Sequence, residues 1–246
     1  MEEAHSVPED MPPSYPPQRK PKQSLPAFLG EMAVVIAAAL LISVLVKTFL
    51  LQAFYIPSPS MTHTLEVGDR IIVNKLANSP EEIHRGDVVV FVDPGGWLRQ
   101  RPESEPSQPM KVLTTIGETV GIIPKNSGHH LVKRVIGVGG DQVSCCGDDG
   151  RLQINGEPIS EPYLREGGPP STFEFEVTVP EGHVWVMGDN RSNSEDSRAH
   201  MGEPGGGFVP VDNIEGRVTL IMLPLDRFGP LDSAEDTFTK VPDPSP

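Results

Sequence analysis

The longest apolar run of the chain, from about Phe28 to Phe54, limits the possible folds more than any other feature. Between Met32 and Val46 it contains no charged residue. As a helix this run is long enough to cross the ~30 Å hydrocarbon core of a bilayer, which takes ~20 residues. We therefore expect one transmembrane helix over residues 28–54. A cleaved secretory signal and a helix buried in a soluble core are the alternatives, but the run is long for the first and uniformly apolar for the second.

The segment before this run predicts the orientation of the chain in the membrane. Residues 1–27 are rich in proline, serine and charge, so we expect a disordered tail. A small basic cluster, Arg19, Lys20 and Lys22, lies near its end. The positive-inside rule then puts the N-terminus in the cytoplasm. We expect a single-pass protein of the plasma membrane, in contact with the lipid bilayer, whose remaining residues are extracytoplasmic.

Short β-branched runs that follow turns dominate the rest of the chain. Gly86-Asp87 precedes Val88–Val92, and the same Gly-Asp pattern precedes the run from Arg70. Residues 172–179 alternate apolar with polar side chains, as a half-buried strand does. Asn155-Gly156 is a strong signal for a hairpin turn. These patterns predict a mostly β fold with many short strands.

The boundaries of this β region follow from composition. We expect an antiparallel-sheet domain over residues 55–228, with a smaller inserted β subdomain at about 142–182. Residues 94–124 read as an insertion, and the polar, proline-rich residues 229–246 as a second disordered tail. The net charge of −14 argues against a nucleic-acid partner, which would require a basic surface.

The stretch Ser58-Pro59-Ser60-Met61 directly follows the apolar run. Each proline fixes its own φ and pushes the preceding residue toward an extended conformation. Because Pro57 is also present, the backbone is stiff before any tertiary contact forms. Such a backbone can hold the side chains of its serines in a fixed direction. A simple proline- and serine-rich linker is the alternative interpretation.

A second informative stretch, His130–Gly137, predicts a strand in which Lys133 and Arg134 point to opposite faces. One of these cations therefore has only apolar neighbours on the buried side. Burial can lower the pKa of a lysine by ~3–5 units from ~10.4, which gives the neutral amine that a general base needs. The alternative is an edge-strand lysine whose ammonium reaches solvent.

A third stretch, Gly188 to Arg198, is a dense polar loop whose asparagine, aspartate and serine side chains suit an ordered irregular segment. A calcium loop is the rival interpretation. Its spacing fails, because Arg191, Ser194 and His200 stand where an acidic ligand, a glycine and a bidentate glutamate are required. We expect no metal and no cofactor.

Histidines could supply a different base for Ser60, since a Ser-His-Asp triad is recognised by geometry and not by sequence. None of them lies in a distinctive local pattern. The candidates are His63, His84, His129, His130, His183 and His200.

The chain has two cysteines, the neighbours Cys145 and Cys146. Two cysteines alone cannot build a disulfide framework or a zinc site. We expect two free side chains in or near a strand, with a vicinal disulfide as the alternative.

In this order, and after an apolar span, the three stretches resemble the bacterial type I signal peptidases (leader peptidases). Ser58 to Asp69 resembles the nucleophile box of that family, Lys133 to Asp141 its general-base box, and Gly188 to Arg198 its closing signature. Val88–Phe91 resembles the strand between the first two boxes. The resemblance covers most of residues 54–198 in outline.

This resemblance implies a membrane-anchored serine endopeptidase that removes N-terminal signal peptides from exported preproteins. Cleavage would follow small residues, at sites of the Ala-X-Ala type. Ser60 would be the nucleophile and Lys133 the general base. The signal peptide would bind as an added β-strand.

The same resemblance assigns supporting roles to four residues. The Ser58 hydroxyl, with the backbone N–H of Ser60, would form the oxyanion hole. Ser194 would orient the lysine, and Asp196 with Arg198 would brace the site as an ion pair.

Two residues depart from the family pattern: Ser192 stands where aspartate is common, and Pro59 where glycine is common. A dedicated or self-processing Ser–Lys protease with a narrow substrate is one alternative function. An inactive, anchored β module that binds partners is the other.

Overall fold

The computed structural model describes residues 25–98, 129–164 and 168–244 of the chain. Nearly all of the expected N-terminal tail, and most of the insertion expected at 94–124, lie outside these residues. Within them the structure contains one α-helix, α1 (Leu25–Phe49), and twelve β-strands. The strands are β1 (Leu51–Tyr55), β2 (Arg70–Asn74), β3 (Val88–Val92), β4 (His130–Val138), β5 (Gln142–Cys145), β6 (Gln153–Ile154), β7 (Glu157–Pro158), β8 (Phe175–Thr178), β9 (His183–Met187), β10 (Val209–Pro210), β11 (Ile214–Leu223) and β12 (Gly229–Pro230).

The strands form two antiparallel sheets, so the expected mostly β architecture is confirmed. The main sheet has the order β1-β2-β11-β3-β4-β9-β10, and β12 pairs with the far end of β11. The small sheet has the order β7-β6-β5-β8. Asn155-Gly156 forms the turn between β6 and β7, as the sequence predicts.

Three apolar clusters bury the faces of these sheets. The first contains side chains of β1, β2, β3 and β11, and the second contains side chains of β3, β4, β9, β10 and β11. The third joins β4 and β9 to the small sheet. Because β4 contributes Val132, Val135 and Ile136 to different clusters, both of its faces are covered. The polar side chains in the middle of β4, Lys133 and Arg134, are therefore shielded from water.

The helix formed by the apolar run ends earlier than the sequence predicts. Helix α1 stops at Phe49, and residues 51–55 form β1, so the expected helix over 28–54 is wrong at its C-terminal end. The reason is a tertiary contact: β1 pairs with β2, and Phe54 is buried in the first cluster. In the described ranges no helix has both the length and the apolar character needed to cross a membrane.

The two cysteines are also different from expectation. Cys145 and Cys146, at the end of β5, are joined by a vicinal disulfide, so the prediction of two free side chains is wrong. Cys145 is buried in the third cluster, whereas Cys146 is exposed.

The C-terminal segment packs against the domain, and the prediction of a disordered tail from residue 229 is wrong up to residue 244. Phe238 and Val241 are buried in the third cluster. The carbonyl oxygen of Ser233 lies against Gly86, where φ is +93° and a Cβ would collide with that oxygen. The segment is polar and proline-rich in composition, but two apolar side chains are enough to dock it.

Phe238→Ala tests this docking. We expect it to lower the free energy of unfolding by about 3–5 kcal/mol, the usual effect of removing a buried phenylalanine. Phe173→Ala is the matched control, since Phe173 is 48% exposed, and it should have a much smaller effect. Chemical denaturation of the full chain in detergent, followed by tryptophan fluorescence, measures both. Equal effects of the two substitutions would contradict the docking.

Candidate active site

A short 3-10 turn, Pro59–Met61, aims Ser60 into the domain. Ser58 precedes it in an extended conformation, with φ −127° and ψ 154°, as a residue before proline prefers. Thr62 N–H donates to the Pro59 carbonyl at 3.1 Å and closes the turn. The Ser60 side chain is consequently buried, while Ser58 remains exposed. The stiff backbone around the prolines thus directs the Ser60 side chain into the domain, and the segment is not a simple linker.

Asn190 clamps this turn from the polar loop. Its backbone N–H donates to the Ser60 carbonyl at 3.0 Å, and its side-chain amide donates to the Pro59 carbonyl, also at 3.0 Å. A Cβ at Gly188 would collide with the Ser60 carbonyl and with Ser194. The loop can approach the serine turn this closely because residue 188 is a glycine. The sequence predicts an ordered loop here, but not that it holds the serine backbone.

Lys133 extends from β4 directly to Ser60. Its Nζ lies 2.8 Å from Ser60 Oγ and donates at 3.1 Å to the Val132 carbonyl. Only 3% of the lysine is exposed. When the lysine is neutral, the serine hydroxyl can donate to Nζ across the same 2.8 Å. This is the contact through which an amine removes a proton from a serine.

Burial lowers the pKa of Lys133 from an ordinary value of 10.5 to about 8. Desolvation of the ammonium is the largest cause, and the negative charges of Asp196, Asp189 and Glu195 oppose it. At pH 7 a pKa of about 8 leaves ~10% of the amine neutral, against well under ~0.1% for an ordinary lysine. Lys133 can therefore act as a base at a pH where most lysines cannot.

Arg134, the next residue of β4, is buried on the opposite face of the strand. The sequence predicts one buried cation in this pair, whereas the structure buries both, with Arg134 1% exposed. Its guanidinium donates to the two Asp189 oxygens at 2.9 and 2.7 Å and to the Gly86 carbonyl at 2.7 Å. Thr64, from the segment after the serine turn, also donates to Asp189. One ion pair therefore ties β4, the polar loop and the serine segment together.

Asp196 and Arg198 form a second buried ion pair. Arg198 Nε and Nη2 donate to the two carboxylate oxygens at 2.9 and 2.8 Å, and the Gly188 N–H donates to the same carboxylate at 2.9 Å. Burial disfavours the charged carboxylate, but these hydrogen bonds outweigh it, and the pKa of Asp196 lies below its ordinary value. Asp196 is therefore ionised near the lysine at neutral pH.

The structure brings Ser58 and Ser194 to the site less completely. Ser58 Oγ lies 3.3 Å from Ser60 Oγ, on the exposed side of the nucleophile. Ser194 Oγ is buried and faces the Asp196 carboxylate, whose charged form it favours, and no hydrogen bond joins it to Lys133 among the described residues. Ser58 thus lies beside the Ser60 hydroxyl, and Ser194 lies beside Gly188, which approaches the Ser60 carbonyl.

The histidine alternative has no support in the described ranges, where no hydrogen bond joins a histidine to Ser60. His200, for example, stacks on Trp97 at 4.4 Å between ring centroids and contacts Glu203 at 2.8 Å.

Sequence comparisons point to one family. Residues 29–223 match the family model described as "Signal peptidase, peptidase S26". The chain is 38% identical to Signal peptidase I of Mycobacterium tuberculosis (strain ATCC 25618 / H37Rv) over 230 residues, which cover 85% of this chain and 78% of that protein. It is 33% identical to Signal peptidase I of Leptolyngbya laminosa over 229 residues, 93% of this chain and 96% of that protein. A crystal structure of a signal peptidase I from Enterococcus faecalis V583 is 27% identical, with a TM-score of 0.35, and covers 56% of this chain and 97% of that chain.

Burial of the Lys133 amine predicts a pH-dependent stability. Between pH 8 and 10.5 the unfolded chain binds a proton at this lysine that the folded chain has lost, so the stability of the wild type rises with pH there. Relative to Lys133→Met, the wild type should gain about 3 kcal/mol between pH 7 and 11. Denaturation of both proteins across this range measures the difference. A difference that does not vary with pH would contradict a depressed lysine pKa.

Proposed function

Because this chain belongs to the signal peptidase family, peptidase S26, we propose that Ser60 and Lys133 carry out its removal of signal peptides from preproteins. The observation that carries the assignment is the 2.8 Å contact between Lys133 Nζ and Ser60 Oγ in a buried setting. The enzyme is a serine hydrolase, and a Ser–Lys dyad is consistent with the family.

Neutral Lys133 accepts the proton of the Ser60 hydroxyl as Oγ attacks the scissile carbonyl carbon. The C–O bond forms while the carbonyl π electrons move to oxygen, which gives a tetrahedral oxyanion. Collapse of this intermediate breaks the C–N bond, and the Lys133 ammonium gives its proton to the departing amine. A water molecule, deprotonated by the same lysine, then hydrolyses the acyl-enzyme and restores Ser60.

The oxyanion needs donors that are already in place. We assign this role to the Ser60 backbone N–H and the Ser58 hydroxyl. The support for Ser58 is its position, since its Oγ lies 3.3 Å from the attacking oxygen and it is held in an extended conformation before Pro59. Its hydroxyl is free to rotate toward a new acceptor.

The remaining expected site residues have supporting roles in this proposal. Ser194 orients the lysine, and what supports this is its buried hydroxyl between Gly188 and Asp196, whose charge acts on Lys133. The buried ion pair of Asp196 and Arg198 holds the polar loop in shape, because the Asp196 carboxylate also accepts from the Gly188 N–H.

The signal peptide binds as an added β-strand next to Ser60. In the described ranges β1 pairs with β2 alone, so its second edge carries free backbone groups, and β1 leads directly into the Ser58 segment. The first half of β4, which ends at Lys133, likewise pairs with β3 alone. An extended substrate can use such edges, with its alternate side chains in shallow pockets. Small residues at the first and third positions before the cut, as in Ala-X-Ala, fit this arrangement.

We also propose that α1 belongs to a membrane anchor, with the N-terminus cytoplasmic and the catalytic domain extracytoplasmic. Soluble proteins seldom expose a contiguous apolar surface of this kind. The exposed apolar side chains of α1 are Phe28, Leu29, Met32, Val34, Val35, Ile36, Leu40, Leu41 and Ile42. A plasma-membrane location would keep the enzyme close to preproteins as they emerge from the bilayer.

Substitution of the dyad is the direct test. Ser60→Ala and Lys133→Ala should abolish cleavage of an Ala-X-Ala peptide by the full chain in detergent, because each removes one partner of the proton transfer. In the wild type, the ascending limb of kcat/KM against pH should reflect a group near pH 8, the value to which burial lowers the pKa of Lys133.

The matched control is Lys240→Ala, which alters an exposed lysine and should leave the profile unchanged. Cleavage retained by Lys133→Ala would show that Lys133 is not the general base. A wild type that cuts one preprotein and ignores a panel of signal peptides would indicate a dedicated protease. A folded wild type that cuts nothing and resists serine-directed covalent probes would indicate a binding module.

Ser58→Ala tests the oxyanion assignment separately. Loss of one oxyanion donor should lower kcat by about 10²–10³-fold with little change in KM, since the donor acts on charge that develops in the transition state. Steady-state kinetics with the same peptide measure both constants. A Ser58→Ala enzyme that raises KM and keeps kcat would instead place Ser58 in substrate binding.

A further inference from the structure

Glu161, on the loop that leaves the small sheet after β7, extends to the polar loop of the active site. Its two carboxylate oxygens accept from Arg191 Nη1 at 3.0 Å and from Nη2 at 2.5 Å. Both side chains of this pair are 3% exposed. The loop that follows β7 therefore makes a buried, two-point ion pair with a residue that lies between Gly188 and Ser194.

Tyr163, two residues further along the same loop, contacts the other buried arginine of the site. Its ring lies under the Arg134 guanidinium, 4.1 Å from the carbon Cζ to the ring centroid. Its hydroxyl donates to Glu161 at 2.8 Å. Burial raises the pKa of Tyr163 well above its ordinary value, so the phenol keeps its proton and remains a donor. Glu161 and Tyr163 thus form one buried unit, here called the small-sheet arm.

Each arginine that the small-sheet arm holds is adjacent in sequence to a residue that binds the dyad or belongs to it. Arg191 Nε donates to the Gly188 carbonyl at 3.1 Å, and its neighbour Asn190 holds the Ser60 carbonyl at 3.0 Å. Arg134 follows Lys133 in β4 and pairs with Asp189. The arm therefore holds one arginine next to the residue that binds the Ser60 carbonyl and one arginine next to Lys133.

Stability alone does not explain a buried cluster of this kind. Removing two charges from water is expensive, and well-packed apolar residues of similar volume often stabilise a fold equally well or better. What a bidentate ion pair adds is fixed geometry, because the planar guanidinium accepts few orientations of its partner. Fixed geometry matters most at a dyad, where a displacement of ~1 Å can lower the rate ~10²-fold.

We propose that Glu161 and Tyr163 are positioning residues, which act through Arg191 and Arg134 to hold Ser60 and Lys133 in register for proton transfer. This inference rests on the proposed roles of Ser60 and Lys133. It gives the small sheet a part in the reaction that the sequence does not indicate. The arm touches neither the free edge of β1 nor that of β4 in the described residues, so it acts on the chemical step and not on substrate affinity.

The proposal predicts a specific kinetic signature. Loosening the arm displaces the polar loop and admits water to Lys133. The burial that lowers the lysine pKa is then partly lost, so the pKa rises and less amine is neutral at pH 7. The kcat should fall, KM should stay nearly constant, and the ascending limb of the pH profile should move to higher pH.

The experiment uses the full chain in detergent with an Ala-X-Ala peptide. Glu161→Gln removes the charge and keeps the shape, and we expect kcat to fall ~10–100-fold. Tyr163→Leu removes the ring under Arg134 and should move the pH limb upward. Tyr163→Phe removes only the hydroxyl and should restore most of the activity lost in Tyr163→Leu. Glu176→Gln is the control, because Glu176 is an exposed glutamate of β8 whose carboxylate accepts from Gln142 within the small sheet.

The outcomes separate this inference from the proposed function. If the wild type cleaves and Ser60→Ala does not, but Glu161→Gln and Tyr163→Leu keep the wild-type kcat and pH limb, the arm has no positioning role. Variants that melt at lower temperature with unchanged kinetics would also overturn it, since they show a structural role alone. Should Glu161→Gln not fold, the comparison of Tyr163→Leu with Tyr163→Phe decides. Cleavage retained in Ser60→Ala would overturn both proposals.

Discussion

The proposed active site depends on the removal of one ammonium group from water. Lys133 is buried to 3% exposure on a strand covered on both faces, and this desolvation lowers its pKa to about 8. The reactive amine is a consequence of the fold, because three apolar clusters surround the strand that carries it. A lysine on the same strand with one face in water would keep its proton at neutral pH. The fold must therefore tolerate a destabilising residue at its centre.

The acidic residues around Lys133 would undo this effect if they were unpaired. Asp196 and Asp189 attract the ammonium and raise its pKa, in opposition to burial. Each of them is held by an arginine, Arg198 for Asp196 and Arg134 for Asp189, at distances below 3 Å. A carboxylate whose charge is matched by a guanidinium attracts a second cation less strongly. The two ion pairs thus hold the polar loop in shape. They also limit how far the two carboxylates raise the pKa of Lys133.

The proposed reacting groups can be picked out from the sequence because their signals are local. Prolines beside Ser60 and the alternation around Lys133 both act within a few residues, and the strands β2, β3, β4, β9 and β11 follow from β-branched runs. The sequence does not predict features that depend on distant contacts. An apolar run does not show that Phe54 leaves the helix to pair in β1, and a polar tail does not show that Phe238 will find a pocket. The partner of Arg191 likewise lies 30 residues away, in the loop that follows β7.

The same distinction explains why the small sheet contributes to the site without a motif of its own. A catalytic box needs particular residue types at fixed spacing, since its members act on the same atoms. Residues that support such a box need only reach it, and any loop of suitable length can supply them. Glu161 and Tyr163 come from a loop whose sequence has no catalytic pattern, yet the loop places a carboxylate on Arg191 and a ring under Arg134. The contacts that support the proposed dyad are therefore where the structure adds most to the sequence.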